Sequence, residues 1–395
     1  MNLIEAIQGV PDYRHARGIR HRLWIILTIV LLGSCTGYWG YKPLAEFTKN
    51  HRLSLIKLLD LSPDIQLPSA STFRNIMMSI DFQILAELFN FWAENSLPIN
   101  FKELFAIDGK CIKSTVTGGN KYYQNFVSIV SVYSHQQGWV VRHQAMENHE
   151  KSEISVVEEL IKTLSGHHIV ITADALQIHE KTVELIIEGE NDYIITIKGN
   201  QPNLLKVATE LAESSIAIDT NYHDERLHGR KTTRQVKVYS IPPELLPDWV
   251  GAKSLIEVNR YGTRPQGKKS RRQILDYDER HFYLSSLNCS ASEFAEAIRG
   301  HWSIENQLHW IKDVTLNEDN CIHTGGFSPA NWAMVRQFLV SLARQLNCRT
   351  IPEALRLMAN QLQMIFDALF HHSDSSCGML VSPTVEREKL FSLDN

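Results

Sequence analysis

Three acidic residues have the types and settings of a metal-binding site. Asp108 and Asp174 each follow a short apolar run, and Glu305 lies in a later stretch with helical spacing. Three carboxylates that converge on one pocket repel one another unless cations lie among them, and Mg²⁺ and Mn²⁺ prefer such oxygen ligands. Two such ions, about 3.5–4 Å apart, activate water or a 3′-hydroxyl and stabilise the leaving oxygen in phosphodiester chemistry. The trio therefore predicts a site for two Mg²⁺ (or Mn²⁺) ions.

The elements that position the two aspartates are predicted between residues 101 and 202. Their order is strand, two-stranded hairpin, helix, strand, helix and strand, with β-rich segments at 104–107, 126–133, 139–146, 168–173 and 193–197. With short right-handed crossovers, the first and fourth strands lie side by side in one mixed sheet. Sites in open α/β sheets gather at strand ends. The predicted fold class is α/β, with an RNase H-like mixed sheet and flanking helices.

The third acid belongs to a predicted helix that begins after Ser290. Ser290 and Glu293 have the spacing of a capping box. On a regular helix, one face near Glu305 would carry His301, Leu308, His309 and Lys312. The alternative is a partly solvated helix with an ion pair between Glu305 and Lys312.

The first hundred residues predict a helical domain that binds DNA ends. The segment from Ser69 to Met78 begins with capping residues and carries Arg74 in its first turns. It fits a recognition helix in a major groove; an ordinary capped bundle helix is the alternative. The uncharged run from Leu23 to Tyr41 is long enough to span a bilayer. The glycines and hydroxyl residues in its second half favour a buried helix that ends near Gly33, so no membrane contact is expected.

The composition is that of an ordinary globular protein. Of the 395 residues, 44% are hydrophobic and 21% are charged, and the net charge is −4. The six cysteines are scattered without a CxxC pair, which favours free thiols over disulfides or zinc. No signal peptide is recognised at the start. A cytoplasmic protein is therefore expected.

Two basic segments lie in a β-rich insertion predicted at residues 203–289. The insertion has strand-like runs near 235–239, 254–258 and 281–284. Its basic positions include His228, Arg230, Lys268, Lys269, Arg271 and Arg272. Such runs are usually solvated loops, but two beside a carboxylate site favour contact with nucleic acid. The catalytic core is predicted to continue over 290–350, followed by a C-terminal helix and tail at 351–395.

Several short motifs resemble those of one known family. They are Ala106–Lys110, Thr172–Ala175, Lys198–Pro202, His228–Arg230 and His301–Asn306. Together they resemble the DDE transposases of bacterial insertion sequences, and more narrowly the H-repeat-associated group. The resemblance implies an RNase H-like core interrupted by the β-rich insertion. It also implies Asp108, Asp174 and Glu305 as the catalytic, metal-binding triad.

The helix of the third acid departs from the wider family pattern. Where other members carry Tyr-x2-Arg-x3-Glu-x6-Lys, this chain has Ile298, His301, Glu305 and Lys312. Lys312 and His301 are expected to contact DNA phosphates. Lys110, Lys198, Asn200 and Gln201 follow strands and are predicted either to contact the DNA backbone or to cap loops. Trp249, Trp302 and Trp310 suit stacking on a flipped base, with core packing preferred for the last two.

The resemblance implies a transposase acting on double-stranded DNA. Such an enzyme binds terminal inverted repeats, cleaves the strands with Mg²⁺ and joins the 3′-hydroxyls to target DNA in cut-and-paste transposition. A homodimer assembled on DNA is expected, because two ends must be held together, and the place of action would be the bacterial nucleoid. Two alternatives stay open: a catalytically impaired or domesticated DNA-binding protein, and a structure-specific nuclease.

Overall fold

A computed structural model describes residues 2–117, 125–176, 178–227, 230–266 and 273–370. The described chain divides into two compact units. The first unit comprises residues 2–99, 109–152 and 304–370, and the second comprises residues 100–108 and 153–303. Each unit is built from separate stretches of sequence, so neither corresponds to one continuous segment.

The helices are assigned in chain order. They are α1 (Leu3–Gly9), α2 (Leu23–Cys35), α3 (Tyr41–Asn50), α4 (Arg52–Leu58), α5 (Ala70–Ser79), α6 (Phe82–Ser96), α7 (Glu153–Thr163), α8 (Glu180–Glu188), α9 (Pro202–Ser214), α10 (Ala291–His301), α11 (Ser328–Gln345), α12 (Ile351–Met358) and α13 (Leu362–Phe370).

The strands are β1 (Leu104–Cys111), β2 (Val127–Ser134), β3 (Val140–Glu147), β4 (Val170–Ala173), β5 (Asp192–Ile197), β6 (Asp219–Leu227), β7 (Arg230–Ser240), β8 (Ser254–Gln266) and β9 (Gln273–Ser285). Helices flank a large mixed sheet, so the fold class is mixed α/β as predicted.

The apolar run near the start forms the internal helix α2 of the first unit. From Ile25 to Cys35 all its side chains are buried, and it carries no charge. Helix α3 approaches so closely that a Cβ on Gly33 would lie 2.6 Å from Leu44 Cδ2. The prediction of a buried helix is confirmed, with its end at Cys35. No helix in the described part of the chain has both the length and the apolarity to cross a membrane.

Helix α11 forms the centre of the first unit. Its residues from Ser328 to Ala343 are buried on every side, and it contacts α2, α5 and α6. The Phe338 ring packs edge-on against Phe89 at 5.1 Å and lies 5.5 Å from Trp92. A helix that is buried all round can be accommodated only where other elements surround it.

The sheet of the first unit has the order β3–β2–β1, to which β1 contributes its last residues. Strands β2 and β3 form an antiparallel pair, in which Val127 faces Glu147. Asn90 of α6 satisfies the open edge of β3: its amide donates to His143 O at 2.8 Å and accepts from His143 N at 2.9 Å. The helix side chain thus replaces a neighbouring strand.

The buried imidazole of His143 predicts a loss of stability in acid. It stacks on Phe89 at 4.5 Å, and burial, followed by the charge of Lys312, lowers the pKa of His143 to about 3. In the unfolded chain, the imidazole therefore takes up a proton near pH 6.5. In the folded chain, it takes up that proton only near pH 3. The free energy of unfolding should fall by about 1.4 kcal/mol per pH unit below 6.5 through this residue.

Equilibrium unfolding of His143→Gln and wild type, compared from pH 7 to pH 4.5, measures this contribution. The variant is expected to show the shallower pH dependence. His149→Gln, at an exposed position, is the matched control and should keep the wild-type slope. Parallel slopes for His143→Gln and wild type would contradict the assignment.

The sheet of the second unit has the order β1–β4–β5–β9–β8–β7–β6. Strands β1, β4 and β5 are parallel, and the pairs from β5–β9 onward are antiparallel. The prediction that the first and fourth strands are neighbours is confirmed. Strands β8 and β9 extend further than the predicted runs. Strand β6 was not predicted, because its sequence Asp219–Leu227 is largely polar and shows no alternation of apolar residues.

Helix α10 packs its apolar face on this sheet. Ala291, Phe294 and Ile298 share a buried cluster with residues of β1, β4, β5, β7 and β8. The predicted capping box is confirmed: Ser290 accepts from Glu293 N, and the Glu293 carboxylate accepts from Ser290 N. Ile298, at the position where the wider family carries tyrosine, is therefore a core residue.

Candidate active site

The two aspartates lie next to each other within the second unit. Strands β1 and β4 run parallel with Ile107 opposite Ala173, so Asp108 and Asp174 each follow one residue of this last pair. Both side chains are partly buried. The prediction that β1 ends at Asp108 is wrong, because the strand continues to Cys111. Asp108 therefore has strand residues both before and after it in the chain, whereas Asp174 begins a loop.

The carboxylate of Asp174 already holds a cationic group. Lys198 Nζ lies 2.6 Å from Asp174 Oδ2, and Asp174 Oδ1 accepts from Ala175 N at 2.6 Å. The side chain of Asp174 is 31% exposed, and that of Lys198 is 45% exposed. The loop after β5 therefore brings its ammonium directly to the candidate site.

His301 lies in the second unit, beside β4. Its Nδ1 is 2.9 Å from Thr172 Oγ1 on β4. Burial lowers the pKa of His301 to about 4, and the nearby charge of Asp174 only partly opposes this. A neutral imidazole carries no charge for a phosphate near pH 7. The predicted charge-based role of His301 thus does not fit its environment.

Glu305 lies in the first unit and has His309 as its partner. The helix widens here into two π-helical turns, Glu305–His309 and Ile311–Thr315. The Glu305 carboxylate is 57% exposed and lies 3.2 Å from Nδ1 of the buried His309. Burial, followed by the charges of Lys312 and Lys110, lowers the pKa of His309 to about 3. A neutral His309 donating from Nδ1 would orient one carboxylate oxygen.

The predicted single face around Glu305 is only partly correct. His309 contacts Glu305 as expected, but Lys312 is buried, with 2% of its surface exposed, whereas Glu305 points to solvent. The wide turns place Lys312 on a different side from the one that regular helical spacing predicts. Lys312 pairs with Glu318 at 3.3 Å. The expected contact between Lys312 and a DNA phosphate does not fit this burial.

The remaining predicted DNA-binding residues occupy varied settings. Lys110 is largely buried and pairs with Asp313 and Glu318. The side-chain amides of Asn200 and Gln201 donate to backbone carbonyls, as the loop-capping alternative predicts. Arg74 is exposed on α5. Outside the described residues lie His228, Lys268, Lys269, Arg271 and Arg272, together with the side chain of Arg230.

The tryptophans are distributed differently from the prediction. Trp302 is 57% exposed and Trp310 is 54% exposed, so the expectation that both pack in a core is wrong. Trp249 is buried. Trp302 follows the end of α10, and Trp310 lies between the two π-helical turns.

Two acidic residues of the site region were not singled out from the sequence. Asp313 and Glu318 both pair with Lys110, and Glu318 is almost completely buried. Glu318 lies in the polar run Asn317–Asn320, which reads as a solvated loop. The charge of Lys312 in a mostly apolar stretch was the available signal that a buried acid is needed.

The described fold is mixed α/β, and Asp108 and Asp174 follow paired residues of two neighbouring strands in it. A family model described as “Transposase DDE domain” matches residues 99–340, which is more than half of the chain. A second model, described as “DDE_Tnp_1-associated”, matches residues 4–93. The chain therefore belongs to the DDE transposase family, whose members are nuclease-type enzymes.

Two relatives from Escherichia coli indicate which group within the family this chain resembles. The “H repeat-associated putative transposase YhhI” of Escherichia coli (strain K12) is 28% identical over 348 residues, covering 86% of this chain and 89% of that protein. The “Putative transposase YncI” of Escherichia coli O157:H7 is 29% identical over 327 residues, covering 80% and 81%. The chain is thus a DDE transposase similar to the H-repeat-associated group, as the sequence motifs predicted.

Proposed function

We propose that this transposase binds the inverted repeats at the ends of its element, cleaves DNA strands in a divalent-metal-dependent reaction and joins the freed 3′-hydroxyls to target DNA. The observation that carries the proposal is the parallel pairing of β1 with β4, which makes Asp108 and Asp174 neighbours. Glu305 is the third proposed ligand. The orders β3–β2–β1 and β1–β4–β5 support an RNase H-like core.

The donor groups fit a hard divalent cation. Asp108 and Asp174 supply carboxylate oxygens from adjoining strands, and the Glu305 carboxylate is accessible. Asp174 already holds one positive group, the Lys198 ammonium, so its environment accepts a cation. Mg²⁺ is compatible with such oxygen ligands and keeps room for water and phosphate oxygens. When bound, a pair of such ions would activate the attacking hydroxyl and neutralise the leaving oxygen.

The residues around the proposed ligands have separate tasks. Strand β1 fixes Asp108, and neutral His309 orients Glu305 through one carboxylate oxygen. Asp174 would hold a divalent ion, and the Lys198 ammonium beside it would then be available to a DNA phosphate. The exposed rings of Trp302 and Trp310 offer stacking surfaces for bases near a cut end.

Helix α5 is the proposed contact with the element ends. Its N-cap Ser69 accepts from Thr72 N, and its exposed surface carries Ser71, Arg74 and Asn75. Arg74→Ala is expected to weaken DNA binding and to reduce the slope of log K against log salt by about 0.9, because one phosphate contact is lost. Titration of labelled inverted-repeat DNA at several salt concentrations measures both quantities.

A matched control for Arg74 is available on α4. Lys57 is likewise an exposed cation of the first unit. Lys57→Ala should leave the salt slope of wild type unchanged. Equal slopes for Arg74→Ala and wild type would remove α5 from the proposed interface.

The decisive experiment for the function uses purified protein, Mg²⁺ or Mn²⁺, and DNA carrying the inverted repeats that flank the gene. Cleavage at the ends followed by joining to a target plasmid is expected. Binding without cleavage under any divalent ion would favour a DNA-binding protein without catalysis. Cleavage of branched DNA without joining would favour a nuclease.

The assembly on DNA is part of the same proposal. Two element ends must be cut and joined together, so a dimer of this chain on paired ends is expected, at work on the nucleoid. The mass of the complex with inverted-repeat DNA measures this directly. A complex with one chain and one end throughout the reaction would contradict it.

A further inference from the structure

A buried acid, Glu318, bridges two lysines within the first unit. Lys110 Nζ lies 2.7 Å from Glu318 Oε1, and Lys312 Nζ lies 3.3 Å from Glu318 Oε2. The side chain of Glu318 is 1% exposed and that of Lys312 is 3% exposed. Each carboxylate oxygen is therefore assigned to a different ammonium. We call Glu318, Lys110 and Lys312 the ionic bridge.

The ionic bridge connects two stretches of chain that carry proposed metal ligands. Lys110 lies two residues after Asp108 on β1, and Lys312 lies seven residues after Glu305. Lys110 also contacts Asp313. The bridge thus fastens the end of β1 to the π-helical turns that begin at Glu305.

Further hydrogen bonds hold the chain around Glu318 in place. Glu318 N donates to Lys312 O at 2.9 Å, and Arg336 Nε of α11 donates to Leu316 O at 3.0 Å. Lys312 also lies 3.5 Å from Gln337 Oε1 on the buried side of α11. The loop after the π-helical turns is therefore held from both its backbone and its side chains.

The bridge stabilises the charges of Glu318 and Lys110, whereas at Lys312 burial outweighs the attraction of Glu318 and lowers the pKa of that lysine. Burial by itself would raise the pKa of Glu318, but Lys312, Lys110 and Arg336 outweigh this and hold the pKa below its ordinary value. Burial likewise opposes the charge of Lys110, yet Glu318 and Asp313 raise the pKa of that lysine. An ionised acid between two ammonium groups has a defined geometry, because moving it away from either one leaves a buried charge uncompensated.

We propose that Glu318, through its ion pairs with Lys110 and Lys312, is a positioning residue for metal binding by Asp108 and Glu305. This inference rests on the proposed function of those two carboxylates. In it Lys312 acts inside the protein and does not contact DNA. Loss of such a supporting partner typically costs 10–100-fold in metal affinity or activity.

An exposed ion pair beside the bridge provides the matched control. Lys113 contacts Asp319, the residue after Glu318, and joins the same two stretches of chain, but the side chain of Lys113 is 70% exposed. Surface pairs of this kind contribute little. Lys113→Met therefore removes a lysine from the same stretches without touching the buried bridge.

The test measures Mn²⁺ binding to the full-length chain by electron paramagnetic resonance of free Mn²⁺. Wild type is compared with Glu318→Gln, Lys312→Met and Lys113→Met, each checked for folding by circular dichroism. Lys312→Met is the milder variant, because Glu318 keeps its ion pair with Lys110. The Lys312→Met variant therefore provides the test if Glu318→Gln does not fold. Affinity for inverted-repeat DNA and the rate of end cleavage are measured on the same samples.

The expected result is an at least tenfold weaker Mn²⁺ affinity and slower cleavage for Glu318→Gln and Lys312→Met, with DNA affinity within twofold of wild type. Lys113→Met should match wild type. Unchanged Mn²⁺ affinity in the folded bridge variants overturns the proposal, as does a Lys312→Met variant that loses DNA affinity alone. A wild-type protein that binds Mn²⁺ but cleaves no DNA would contradict the proposed function. If the bridge variants then bind Mn²⁺ more weakly, the positioning role of Glu318 is still supported. A wild type that binds no Mn²⁺ overturns the positioning role.

Discussion

Replacing Asp108 with asparagine is expected to lower the rate of end cleavage by more than about 10²-fold. Loss of a residue that only supports a metal ligand typically costs about 10–100-fold, and loss of the ligand itself should cost more. The substitution keeps the size of the side chain but removes the negative charge that a divalent cation requires. Because β1 continues on both sides of Asp108 in the chain, the strand should remain intact in the variant. Single-turnover cleavage of inverted-repeat DNA with saturating Mg²⁺ measures the effect.

The same assay separates catalysis from binding. Asp108→Asn should bind the inverted repeats as tightly as wild type, because the carboxylate contributes nothing attractive to phosphate contacts. Glu184→Gln, an exposed acid on α8 in the same unit, is the matched control and should cleave at the wild-type rate. Cleavage by Asp108→Asn within tenfold of wild type would exclude Asp108 as a metal ligand.

The second large effect concerns the stability of the ionic bridge. Glu318→Leu leaves the ammonium groups of Lys110 and Lys312 without their shared buried acid and is expected to cost about 3–5 kcal/mol of unfolding free energy. Lys312→Met should cost only about 1–3 kcal/mol, since Glu318 keeps Lys110 as a partner. Urea unfolding followed by tryptophan fluorescence and circular dichroism measures both.

Which of the two substitutions, Glu318→Leu or Lys312→Met, lowers the free energy of unfolding more shows whether Glu318 is the shared partner of the two lysines. A solvated loop, as the sequence around Glu318 suggests, would make Glu318→Leu nearly neutral. Lys113→Met should leave the free energy of unfolding close to that of wild type, because its pair with Asp319 is exposed on the lysine side. A larger loss of unfolding free energy for Lys312→Met than for Glu318→Leu would show that Glu318 is not the shared partner of Lys110 and Lys312.

Much of the strand order could be predicted because apolar runs and breakers are local properties. The short runs before Asp108 and Asp174, and the right-handed crossover between parallel strands, were enough to predict adjacent strands. The capping box at Ser290 and the buried helix after Arg22 were likewise encoded by neighbouring residues. The motifs around Asp108, Asp174 and Glu305 identified the family before any geometry was known.

By itself, the sequence determined which residues follow the strands, which helices are apolar throughout and to which family the chain belongs. Only the tertiary structure decided the roles around Glu305. Regular helical spacing would have put Lys312 beside Glu305, but the π-helical turns rotate it into the interior. There Glu318, from a stretch that reads as a solvated loop, becomes its partner. Burial and charge pairing depend on residues distant in sequence, so the same lysine that a motif assigns to DNA is assigned by its environment to the protein core.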